Sequence, residues 1–213
     1  MPNWWSRLTG RSNAPEETKA GGQSLFAMTA LGDPNWSKRS FVSLANEGYV
    51  KNPVVHRCVR LIAEAATRVP LAAEEGGKRL SEHPVLALLA VPNPRSSGGE
   101  LLEAVYAYLQ TAGNAYLEAA VVEGEVRGLY VLRPDRMRVV AGRDGWPSAY
   151  QYTAGGATRT LSQEPAPIPR VLHLSLFHPL DDHYGLSPLE AAAQALDTHN
   201  AAGRWNKALL DNA

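Results

Sequence analysis

Gly113-Asn-Ala-Tyr-Leu-Glu-Ala-Ala-Val-Val122-Glu-Gly-Glu-Val126-Arg-Gly-Leu-Tyr-Val-Leu-Arg133 is the stretch whose reading decides the fold. Upstream of it, Leu101, Leu102, Val105, Tyr108, Leu109 and Ala112 recur at helical spacing behind Ser97-Gly-Gly-Glu100, a capping box in which the serine and glutamate satisfy each other's backbone donors. At Gly113-Asn114 the period changes. Ala115–Val122 and Val126–Arg133 read as two strands joined by a turn at Glu123-Gly-Glu125. A capped amphipathic helix that runs straight into a β-hairpin points to an α+β domain, with helices packed on an antiparallel or mixed sheet.

Working back toward the N-terminus, Asn52-Pro53 supplies a cap and a first-turn proline, and the helical pattern holds to about Val69 before Pro70 ends it. Val54, Val55, Cys58, Val59, Ile62, Ala63 and Ala66 form the face expected to be buried, and Arg57, Arg60, Glu64 and Arg68 the face expected to be wet. Leu71–Glu75 with Gly76-Gly77 suggests a short strand and turn. His83-Pro84 opens a short helix over Val85–Ala90, which Pro92-Asn93-Pro94 stops. Residues 1–48, with Gly10, Pro15, Gly21, Gly22, Gly32 and Pro34 and no sustained period, read as a mobile arm carrying Trp4, Trp5 and Trp36.

Toward the C-terminus, Met137–Val140 and Ala149–Thr153 flank a turn at Gly142-Arg-Asp-Gly145, and Val171–Ser175 is the last apolar run after the Pro-rich stretch Pro165–Pro169. Ser187-Pro-Leu-Glu190 is a second capping-box pattern. It launches a helix of roughly 26 residues, about 39 Å long, that reaches Ala213 without an evident C-cap and so suggests a truncated helix. The expected organisation is an arm (1–48), an α+β domain (49–186) and the start of a long helix (187–213).

The 213 residues carry 21 Lys+Arg against 21 Asp+Glu, and this balance argues against a surface that grips nucleic acid through many phosphate contacts. It suits a wall along which DNA slides. With Cys58 as the single cysteine, no intrachain disulfide forms, and no apolar run approaches the ~20 residues of a membrane span.

The densest polar cluster is His173, His178, Asp181, Asp182 and His183, with the atom types of a divalent-metal site but no established ligand spacing. Pro and Asp are ordinary turn residues between a strand and a capped helix, so a turn plus a strand histidine is the plainer reading. A small metal-dependent hydrolase centred on His173–Ser187 is the enzymatic alternative. Pro188 weakens it by removing a backbone donor where an oxyanion hole would lie, and the capping role already accounts for Ser187. Cys58, on the apolar face, reads as a core cysteine. No phosphate-binding loop is present in the sequence. No catalytic residue, cofactor or metal is therefore expected.

In order and wording the elements from Asn52 onward resemble the HK97-type family of phage portal proteins. The carriers are Asn52-Pro-Val-Val-His-Arg-Cys-Val-Arg-Leu-Ile-Ala-Glu-Ala-Ala66 with Pro70, then His83-Pro84 with Leu88-Leu89 and Pro92-Asn93, and Gly113-Asn-Ala-Tyr116. Leu129–Pro134 with Arg138-Val-Val140, Val171-Leu-His173 and Gly185-Leu-Ser-Pro-Leu189 complete the series. The resemblance implies a wing-like domain of a ring-forming subunit, usually twelve-fold, at one capsid vertex of a phage, prophage or gene-transfer particle. Its implied partners are copies of itself, the major capsid protein, the terminase, the head–tail connector and double-stranded DNA passing through non-specifically, with no membrane. Arg57, Arg60 and Arg68 are then candidates for contact with DNA or a neighbouring subunit, against the plain alternative of a solvated helix face. A host adaptor that borrows the fold is the remaining alternative.

Overall fold

The structure, a computed structural model, describes residues 38–163 and 168–212. Most of the expected arm, its three tryptophans included, lies outside the described residues, as does part of the Pro-rich stretch. The arm does not extend to residue 48. Ser40 accepts the Ser43 N–H and starts α1 (Phe41–Leu44), which continues as a π-helical segment over Ala45–Val50. The segment is ordered by packing: Leu44 is 1% exposed in a cluster with Leu189, Ala193 and Leu196.

The remaining elements follow in chain order. Helix α2 (Pro53–Thr67) precedes the hairpin β1 (Ala73–Glu75) and β2 (Lys78–Leu80), then α3 (Pro84–Ala90) and α4 (Gly98–Ala112). Strands β3 (Asn114–Val122) and β4 (Glu125–Leu132) lead to β5 (Met137–Ala141), β6 (Pro147–Ala154), β7 (Ala157–Ser162) and β8 (Val171–Ser175). The chain closes on α5 (Pro188–Ala191) and α6 (Ala193–Asp211).

All strand pairings are antiparallel, and the larger strands form two three-stranded sheets, β4-β3-β8 and β5-β6-β7. Alternation along β3 explains how they stack. Ala115 and Leu117 point to one side, where Leu101 and Val105 of α4 meet them. Tyr116 points to the other and joins Tyr150, Leu161 and Met137 of the second sheet, with Val171 of β8. Thus β3 is the central strand of the middle layer, with α4 on one face and the second sheet on the other. A bidentate Arg159–Glu118 pair, with N–O distances of 2.7 and 2.6 Å, also ties β7 to β3.

The capping box at Ser97 forms as expected, with the Ser97 N–H on Glu100 Oε2 at 2.7 Å and the Glu100 N–H on Ser97 Oγ at 3.3 Å. The hairpin turn forms at Glu123 and Gly124, both at positive φ, the backbone that a two-residue hairpin turn requires.

Three further expectations change. Strand β7 was not anticipated, because it is an edge strand whose only buried side chain is Leu161. The single C-terminal helix is interrupted at Ala192, and Ser187 caps α5 without the reciprocal glutamate bond of a full capping box. Helix α6 also has a terminal cap, since the Asn212 side chain donates to the Ala208 carbonyl. The third concerns α2. Only Val59 and Ala63 are buried on it, whereas Val54, Ile62 and Cys58 of the face expected inside are exposed. Helix α2 packs chiefly on α4 and at its start on the Ala45–Val50 segment and the Leu44 cluster, which leaves much of its expected inner face uncovered.

Candidate functional site

Two asparagines join the C-terminal helices to the rest of the domain. Asn114 is the first residue of β3, set there by Gly113, whose φ of 71° closes α4 in the left-handed conformation. Its Oδ1 accepts the Gly185 N–H at 2.8 Å and the His173 Nε2–H at 2.9 Å. Its Nδ2 donates to the carbonyls of Ala112 at 2.8 Å and Gly185 at 3.2 Å. Alongside, the Leu176 N–H reaches the Gly113 carbonyl at 2.8 Å, and Ser187 Oγ donates to the Gln110 carbonyl at 3.0 Å. The segment between β8 and α5 is therefore fastened to the α4–β3 corner at three residues, Leu176, Gly185 and Ser187.

Asn52 is the second tie, 2% exposed. Its Oδ1 caps α2 by accepting the Val54 and Val55 N–H groups at 3.0 and 3.1 Å, which fixes the orientation of its amide. Its Nδ2 then donates across to α6, to His199 Nδ1 at 2.9 Å and Asn200 Oδ1 at 2.8 Å, while the Asn200 amide donates to the Glu47 carbonyl at 3.0 Å. From Ala201 onward every described residue of α6 is exposed, so these contacts and the Leu44 cluster set its direction.

We expect Asn52→Ala to cost about 2 kcal/mol, roughly half for the lost cap and half for the lost bonds to α6. Asn52→Ser, which keeps a capping oxygen, should recover about 1 kcal/mol of this. Urea unfolding measures both.

The polar side chains singled out in the sequence are engaged in bonds within the fold. His173 stacks on Tyr116 with ring centroids 4.3 Å apart, and its Nε2 is committed to Asn114. Burial, with the nearby His183, pushes its pKa down to about 4. Ser187 Oγ donates to Gln110 and accepts from Leu189 and Glu190. Asp181 accepts the N–H groups of His183 and Tyr184 at 2.8 and 2.9 Å, bonds that hold its carboxyl below the usual range. His178 Nδ1 accepts the Leu180 N–H at 3.0 Å, so the cluster is a turn built on its own side chains. Asp182 is exposed beside it. Among the described residues no group of three or more His, Cys, Asp or Glu side chains is placed to hold a metal ion, and no helix is long and apolar enough to cross a membrane.

Because the unfolded chain binds a proton near pH 6.5 and folded His173 only near 4, its contribution to stability is complete above about 6.5 and is lost as pH falls through that window. The melting temperature should therefore drop between pH 7 and pH 5, and His173→Gln should flatten that slope; equal slopes would contradict this.

The basic residues of α2 lie apart from the two ties. Arg60 holds Glu64 through Nε and Nη2 at 2.9 and 2.6 Å and reaches Glu103 of α4 at 3.5 Å, while Arg57 lies 3.5 Å from Glu64. Arg68 ends the helix and is exposed. The sequence had flagged Asn52 as a cap, but its bonds to α6 and those of Asn114 to His173 and Gly185 involve partners 59 to 148 positions away, which spacing does not reveal.

The family model described as phage portal protein matches residues 53–213, the region that runs from α2 through Asn114 to α6. The chain belongs to the phage portal protein family. It is 35% identical to a protein of Rickettsia felis over all of its own length and 53% of that protein, and 31% identical to one of Rickettsia bellii over 85% and 48%.

Among solved structures, it superposes with a TM-score of 0.79 and 49% identity on a chain from the neck of an empty gene transfer agent particle computed with C6 symmetry, covering 89% of this chain and 51% of that one. A neck chain of the native particle computed with C12 symmetry gives a TM-score of 0.74 at 46% identity, covering 88% and 50%. This portal-family chain spans about half the length of the relatives it matches.

Proposed function

We propose that the chain is part of a structural portal subunit that forms a ring at one vertex of a phage-like or gene transfer agent particle, through which double-stranded DNA enters and leaves. The observation that carries this reading is the 49% identity and 0.79 TM-score to the neck chain over 89% of this chain. In this account the wing-like domain is the rigid block, and Asn52 and Asn114 hold α6 at a fixed angle to it. A rigid block suits a subunit that carries load during packaging and performs no chemical step. The balanced charge keeps a nearby DNA surface from being held at each step.

The organisation proposed here is an α+β block followed by the leading part of a longer helical region. Arg60 ties α2 to α4 through Glu103, Arg57 pairs with Glu64 within α2, and Arg68 is left as the candidate for contact with DNA or a neighbouring copy. The partners follow from the role: further copies of the chain, the major capsid protein, the terminase and the head–tail connector. Disruption of the gene tests the proposal. Particles should lose their nuclease-protected DNA, and restoring the gene should return it; undiminished protected DNA would count against the portal role.

A further inference from the structure

In the tie between α2 and α6, backbone groups fix the role of every side-chain atom. Asn52 Oδ1 accepts the Val54 and Val55 N–H groups at 3.0 and 3.1 Å, so its Nδ2 is the atom turned toward α6. Asn200 Nδ2 donates to the Glu47 carbonyl at 3.0 Å, so its Oδ1 takes one Asn52 Nδ2–H, at 2.8 Å. The other Asn52 Nδ2–H goes to His199 Nδ1 at 2.9 Å. An amide nitrogen only donates, so Nδ1 accepts, and only a neutral imidazole with its proton on Nε2 can do that. A second proton would sit on Nδ1 and set two donors against each other. The bond and that proton exclude one another, so acid favours the state in which the bond is broken. Histidine is the side chain that changes charge between about pH 5 and 8. The Asn114 joint differs, because His173 Nε2–H donates to Asn114 Oδ1, a bond that an imidazolium keeps.

We propose that the Asn52–His199 bond is a proton-sensitive latch, which fastens α6 to the start of α2 while His199 is neutral and releases it when the imidazole is protonated. Asn52 is 2% exposed, so its freed Nδ2–H finds little water and the docked position of α6 bears the cost. The titratable groups close by on the packed elements are Glu47 and Tyr49 of the Ala45–Val50 segment, Lys51 after it, and His56 and Arg57 of α2; on α6 itself they are Asp197 and Arg204. Glu47 is paired with Lys51 at 2.7 Å, and Arg57 lies 3.5 Å from Glu64. His56 Nδ1 donates to the Tyr49 carbonyl at 3.0 Å, which protonation leaves intact. His199 is thus the member of this group whose bond needs a bare ring nitrogen. The latch belongs to the tie itself and stands or falls apart from the portal reading.

The test is hydrogen exchange read by mass spectrometry on the full-length gene product at pH 8 and pH 5, corrected for the intrinsic pH dependence of exchange. In the parent, the peptide over residues 193–200 should lose about tenfold in protection at the lower pH relative to β3, because a helical turn freed from its docking frays. His199→Asn puts an oxygen where Nδ1 lies and takes up no proton in this range, so its protection should stay high at both pH values. His199→Ala, with no acceptor, should be poorly protected at both. Equal protection of the parent at the two pH values would overturn the proposal. An equal loss in the parent and in His199→Asn would do the same, since it would assign the loss to another group such as His173. So would a His199→Ala variant as well protected as the parent at pH 8.

Discussion

Replacing Gly185 with alanine is expected to destabilise the domain by about 3 kcal/mol or more, a large share of the ~5–15 kcal/mol that holds a domain folded. The added Cβ would lie 2.2 Å from the Gly113 carbonyl oxygen and 2.6 Å from both the N and the O of Leu176. All three are backbone atoms, so no side chain can rotate to make room. Relief requires parting the segment before α5 from the α4–β3 corner, which also stretches the 2.8 Å bond between the Leu176 N–H and the Gly113 carbonyl. Gly203→Ala in α6 is the matched control: nothing lies within 4 Å of its Cβ, and the better helix former should add about 0.8 kcal/mol. Urea unfolding of the two variants should move in opposite directions.

Asn114→Ala should cost about 3 kcal/mol, because the four bonds of one side chain disappear together. The Gly185 N–H, the His173 Nε2–H and two carbonyls lose their partner in a place 6% exposed for the asparagine itself. Asn114→Asp separates the contributions, since it keeps the acceptor for Gly185 and His173 but loses both donations. An intermediate stability is expected for it. Both variants should also raise the rate of proteolysis between residues 176 and 192, as the fastening of that segment is what they remove.

The parts of the fold that were legible in the sequence are those set by neighbours in the chain. The Ser97–Glu100 box, the Asn52-Pro53 start, the Glu123-Gly124 turn and the two strands around it each depend on contacts within a few residues. Ser40, which caps α1, carried the same kind of signal, but the Gly and Pro content before it favoured a loop. Strand β7 gave little signal, as its Ala-Thr-Arg-Thr-Leu-Ser sequence buries only Leu161, though Gly155-Gly156 before it, both at positive φ, marked the turn. Helix α2 shows the limit of periodicity: the pattern gave the width of its apolar face, and only its packing reveals how little of that face the domain covers.

The candidate site was legible in composition and hidden in connection. His173, Asp181 and Ser187 were recognisable as a strand histidine, a turn aspartate and a cap, and each has that place. Their joint work, fastening α5 and α6 to the α4–β3 corner, depends on Asn114 and Gly185 meeting across 71 positions. The resemblance of Gly113-Asn-Ala-Tyr116 and Gly185-Leu-Ser-Pro-Leu189 to the portal family marked both halves of that joint without showing that they touch.

The central claim, that this chain is part of a ring-forming portal subunit, is tested most directly by the native mass and negative-stain images of the protein made from the uninterrupted gene. The account predicts a large annular oligomer with a central channel. A monomer or small dimer from an intact gene would contradict it.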